Sequence, residues 1–170
     1  MEKQSNITII VDALQRVNNE TTQLVMSISK EMSKTEIITL FNQSALDFFK
    51  TILEITKSIE QEKEYGINGY INLFETATKI NVHLPIEQFA ATILEFAPEI
   101  YAENENLFLD MHIPDAEFKA GNEFNIIKSD KFKHLWKTGT PKNKELVKEK
   151  IIALTTWCHV YFFQTIIQNQ

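Results

Sequence analysis

The residues closest to a nucleophile-and-base pair in this 170-residue chain are Cys158 and His159. A thiol turns nucleophilic when a neighbouring base or positive field removes its proton. Consecutive residues on a helix point in different directions, so these two do not face one another. The stretch that holds them, IIALTTWCHVYFFQTII, is strongly apolar. A buried structural pair is therefore the preferred reading. A second group, Asp110, His112, Asp115 and Glu117, carries donors suited to a hard cation. It lacks EF-hand spacing and Pro114 interrupts it, so a metal site is not expected. The four histidines, His83, His112, His134 and His159, include no two that are three or four residues apart, the spacing that pairs ligands on one helix face. A single cysteine excludes an internal disulfide and a cysteine-based zinc site. No phosphate loop, dinucleotide fingerprint or nucleophile elbow is present. The sequence thus supplies no catalytic, cofactor-binding or metal residues, and a non-enzymatic protein is expected.

Charge is distributed unevenly. Residues 1–127 hold 9 basic against 20 acidic residues, whereas 128–150 hold 8 Lys against 3 acids. Nine of the acids and one Lys fall within 87–123, a run that reads first as a solvated face. It is also the first candidate for a partner contact. In the basic segment, Lys128, Lys131, Lys133, Lys137, Lys142 and Lys144 are candidates for contact with phosphates or an acidic partner, with Phe132 or Trp136 available to stack on a base. The helical period instead places Phe132, Leu135 and Trp136 in the core, with the lysines solvating the helix. That reading is preferred. An acidic body with one basic elbow argues against broad nucleic-acid binding.

These residues need a scaffold, and the stretch Ile151–Ile167 is the one that organises it. Ten large apolar side chains lie on all sides of this helix, which marks a buried core helix or a membrane span. Its 17 residues are the short limit for crossing a bilayer. Thr155, Thr156, His159 and Gln164 interrupt it, and a mid-span histidine is costly in lipid. A core helix over 141–168 is expected, capped by Thr140 and opened by Pro141. A membrane role is not favoured.

The remaining chain reads as helices around it. Only four Gly and four Pro punctuate 170 residues, favouring an all-α, single-domain bundle. Residues 5–32 read as one long helix with a seam at Val11, Asn18, Thr21 and Val25. Polar seam positions can fix a self-contact, although a kink at Asn18–Thr22 is the preferred reading. Ser33 and Glu36 form a capping box that opens a helix over 34–64, closed by Gly66. Together, 5–64 should form a long antiparallel hairpin. Residues 69–139 divide into shorter helices and a loop. Asn68-Gly69 reads as a break before a helix over 70–82 whose inner face is Tyr70, Leu73, Phe74, Ala77 and Ile80. Pro85 and Pro98 each open a further turn. Residues 113–128 lack helical period and read as a long loop or a short strand pair. Ser129 caps a helix ending at Gly139.

LPIEQFAATILEFAPEIYAENENLFLDM and FKHLWKTGTPKNKELVKEKIIALTTWCHVYF resemble small all-helical proteins of nucleocytoplasmic large DNA viruses. Leu135-Trp136-Lys137, Asn143-Lys144 and Ile151–Phe163 carry the resemblance, which spans residues 84–163. It implies a virion-associated protein, structural or capsid-lining, working through contacts with itself or other virion proteins. It brings no catalytic residues or cofactor. The start, MEKQSNITIIVDAL, is too polar for a secretory leader, so location in the host cytoplasm or virion is expected, not secretion.

Overall fold

The computed structural model describes residues 2–61, 66–110 and 126–167. The last long helix, α9 (Pro141–Phe162), occupies the centre and passes into a π-helical turn, Phe163–Ile167. Thr140 accepts a hydrogen bond from the Asn143 amide at 3.1 Å, and Pro141 holds the first helical position. No side chain from Ile151 to Ile166 is exposed. Ile151, Leu154, Cys158 and Val160 are all at 0–1% exposure. Each large apolar side chain buried in this way stabilises the fold by about 1.5–3 kcal/mol before entropy is counted. The expected buried C-terminal helix is present. No helix among the described residues is long and apolar enough to cross a membrane.

The surrounding helices are α1 (Glu2–Gln15), α2 (Asn19–Glu31), α3 (Lys34–Ser58), α4 (Ile67–Ile80), α5 (Leu84–Ile93), α6 (Ala97–Tyr101), α7 (Leu107–Asp110) and α8 (Asp130–Thr138). Short 3-10 turns at Leu94–Phe96 and Ile126–Lys128 join them. The protein is an all-α single domain. Helix α3 lies along α9 and also packs against α4, while α5, α6 and α2 pack on α9 as well. Phe41, Phe48, Ile37 and Ile52 of α3 are each at most 2% exposed. The Ser33 hydroxyl accepts from the Glu36 amide and the Glu36 carboxylate from the Ser33 amide, completing the expected capping box.

Several expected boundaries are corrected. The helix over 5–32 is two helices. Helix α1 unwinds at Arg16–Val17, and Asn18 turns extended to cap α2, accepting from the Thr21 amide at 2.8 Å. A short polar side chain that serves the backbone cannot also serve a coiled-coil seam. The long hairpin over 5–64 does not form, because α2 docks against α9 and the π turn while α1 packs on the 94–96 turn and α6. Helix α3 stops at Ser58, near Glu60 in left-handed geometry (φ 58°). Gly66 (φ 62°) precedes α4 rather than closing α3. Asn68 and Gly69 lie inside the first turn of α4, where the backbone bonds outweigh their weak helix propensity. The sequence at 113–128 falls outside the described residues up to 125, and only its end is seen, as the 126–128 turn.

Candidate interaction site

Cys158 and His159 occupy neighbouring but separate environments. Cys158 is at 0% exposure, and burial pushes its thiol pKa well above the ordinary value, the opposite of an activated nucleophile. His159 is 3% exposed, and burial pushes its pKa down to about 4. Its Nδ1 lies 3.1 Å from the Tyr101 hydroxyl. Burial, reinforced by Cys158 and opposed by a Thr156 hydrogen bond, holds the Tyr101 phenol above its usual range. His159 is thus a neutral imidazole bound to α6, not a base beside a thiol. His112, Asp115 and Glu117, and the side chain of Asp110, lie outside the described residues. Among the described residues no three His, Cys, Asp or Glu side chains converge as metal ligands.

The basic elbow divides into committed and free lysines. Lys128 lies 3.9 Å from Glu95 and 5.0 Å from the centre of the Phe96 ring. Burial lowers its pKa, while Glu95 acts in the other direction. Lys131 lies over Tyr70 at 5.9 Å and Lys144 over Trp136 at 5.6 Å. Lys148, outside the candidate set, meets Glu145 at 3.0 Å, Glu105 at 3.2 Å and Glu103 at 3.5 Å. The Glu145 hydrogen bond leads in raising its pKa, against the pull of burial. Lys150 pairs with Asp47. Lys137 and Lys142 remain exposed and Lys133 half-buried. Phe132, Leu135 and Trp136 are buried at 2–5% exposure, with Phe132 and Trp136 each packed against Phe108. Neither ring is free to stack on a base.

The four residues of the N-terminal seam lie in different settings: Val25 is buried, Val11 and Thr21 are half-buried and Asn18 is exposed. Val25 is at 0% exposure. Asn18 and Thr21 form the α2 cap. Val11 is half-buried and packs on the core.

Two features were missed in the sequence. The first is the outward face of α4. This helix carries two apolar rows, and the core takes Ile67, Ile71 and Phe74. Of the expected inner row, Ala77 is half-buried against the core, whereas Leu73 and Ile80 face outward at 42% and 82% exposure. Val82, just beyond the helix, is 43% exposed. Only the two rows together, read as competitors, would have signalled this.

The second is a cleft of about 510 Å³ where α1 and α2 meet the π turn. Val11, Leu14, Phe163 and Ile166 form its walls, Asn19 and Thr22 lie on α2, and the His159 ring contributes to the lining. It draws on three separate segments, so no local pattern in the sequence announces it.

No family model matches the chain, and no solved structure matches it. The chain is 42% identical over 160 residues to the uncharacterized protein R465 of Acanthamoeba polyphaga mimivirus, an alignment covering 94% of this chain and 89% of the relative. Identity of that extent means that the chain belongs to the R465 family of giant-virus proteins.

Proposed function

We propose that the protein is a non-enzymatic interaction component of a giant virus, a helical module that docks another virion or assembly protein. The outward row of α4 carries this reading. Single exposed apolar residues are ordinary, but Leu73 and Ile80 lie seven residues apart on one helix face, with Val82 exposed just beyond, and leave that face oily. The chemistry of that row fits the apolar face of an amphipathic helix on the partner. Further support comes from the groups that would otherwise serve catalysis. Cys158 and His159 are buried and Tyr101 half-buried, and all three are held in forms unsuited to acid–base work at neutral pH. The nucleic-acid alternative draws less support, because Lys128, Lys131 and Lys144 are engaged within the fold.

The experiment is affinity capture from infected cells with the wild-type chain and with Leu73→Asp/Ile80→Asp. The expected result is a specific protein retained by the wild type and lost by the variant, with helicity unchanged. Equal retention by both, or micromolar binding to labelled RNA or DNA that weakens steeply with salt, overturns the reading.

A further inference from the structure

Asn68-Gly69 is the one Asn-Gly pair in the chain, and it lies inside the first turn of α4 rather than in a loop. Both residues are exposed. The turn around them is weakly held. Its N-cap, Gly66 in left-handed geometry (φ 62°), offers no side chain to cap the helix. Gly69 is a poor helix former, and the space beside it is open, since a Cβ added there would meet no atom within 4 Å. The Gly69 amide is tied to the Gly66 carbonyl at 3.1 Å. Helix ends of this kind open at little cost.

We infer that Asn68 is a site of spontaneous deamidation, a modification whose co-reactant is water. When the first turn opens, the Gly69 amide nitrogen gives its proton to solvent and attacks Asn68 Cγ. The new N–Cγ bond closes a five-membered succinimide, and the side-chain nitrogen takes up a proton and leaves as ammonia. Glycine favours this step because no side chain shields its nitrogen. Water then opens the ring, with nothing oxidised or reduced. Cleavage at Cγ leaves an ordinary aspartate, whereas cleavage at the main-chain carbonyl leaves an isoaspartate, with the backbone routed through Cγ. Either product places a carboxylate near the positive end of the helix dipole, which by itself firms the first turn. The isoaspartate also adds a methylene to the main chain and throws the Gly66–Gly69 bond out of helical register, so it loosens the turn that the aspartate firms. The chain therefore carries a slow, irreversible charge change at the start of α4. It stands independently of the docking row on that helix, which begins at Leu73.

The test is peptide mapping by mass spectrometry on the full chain, held at mildly alkaline pH and sampled over weeks beside a free peptide of residues 66–72. Asn68 should gain one dalton and split into aspartyl and isoaspartyl forms, at a rate roughly tenfold below that of the free peptide, which is the cost of opening the turn. Asn72, exposed on the same helix but followed by Leu73, should convert far more slowly. Gly69→Ala adds a methyl that meets no neighbour, strengthens the turn and shields the nitrogen. It should slow conversion at Asn68 by at least about tenfold, with circular dichroism confirming the fold. Conversion of Asn68 no faster than that of Asn72, or equal rates in wild type and Gly69→Ala, overturns the inference. The comparison of Asn68 with Asn72 is made within the wild-type protein and needs no variant to fold.

Discussion

The Tyr101 hydroxyl and His159 Nδ1 sit 3.1 Å apart and join the short helix α6 to the central helix α9. Burial of the His159 ring at this junction couples stability to acidity. His159 keeps a pKa of about 4 when folded, against an ordinary value of 6.5. Above pH 6.5 the ring is neutral in both folded and unfolded chains, and no penalty arises. As pH falls from 6.5 toward 4, the unfolded chain binds a proton that the folded chain refuses, so stability drops. The full loss is about 3 kcal/mol, reached below the folded pKa. Denaturant midpoints for wild type and His159→Phe between pH 7.5 and 4 check this. The wild-type curve should fall more steeply, and the difference between the two separates His159 from the carboxylates.

Removing the cap of α2 tests the break that divides the N-terminal region. Asn18→Ala deletes the acceptor for the Thr21 amide and should cost about 1 kcal/mol. Asn18→Gly should cost only a few tenths, since the extended backbone remains available. If 5–32 were one continuous helix, the order would reverse, because Ala is the better interior residue. Urea denaturation of both variants decides the matter.

Gln164 fastens the π turn to the end of α2. Its side-chain amide donates to the Met32 carbonyl at 2.8 Å and to the Ser29 carbonyl at 3.1 Å. Gln164→Leu keeps the volume but strands both acceptors. It should lower stability by about 1–2 kcal/mol. Amide exchange should quicken in the last turn of α2 and leave the middle of α3 unaffected.

The two rows of α4 predict opposite sensitivities. Ile80→Asp on the exposed face should change stability by no more than about 0.5 kcal/mol. Phe74→Ala on the buried face, where Phe74 is 3% exposed, should cost about 3–5 kcal/mol. Thermal melts of the pair check which face meets the core.

Much of the architecture could be read directly from local chemistry. Thr140-Pro141, the Ser33–Glu36 box and Ser129 announce helix starts through hydrogen bonds made within four residues, so the sequence suffices to find them. The enclosure of α9 was legible because no single stripe can hold its apolar side chains. Where the reading failed, distant partners decided. Asn18 could serve a seam or a cap, and packing of α2 onto α9 selected the cap. Leu73 and Phe74 both repeat at helical spacing, and only the position of α3 determines which row is covered. The lysines of the elbow looked alike in one dimension. Their division into engaged and free follows from Glu95, Tyr70 and Trp136, which other segments bring to them.

The placement of α9 has a consequence for how the chain is made. Helices α2, α3, α5 and α6 all lean on residues encoded after position 140. While the ribosome is still translating the earlier region, these helices lack the α9 face that they pack against. Stable tertiary structure therefore arises late in synthesis, and nascent chains halted before α9 should be protease-sensitive and prone to capture by chaperones.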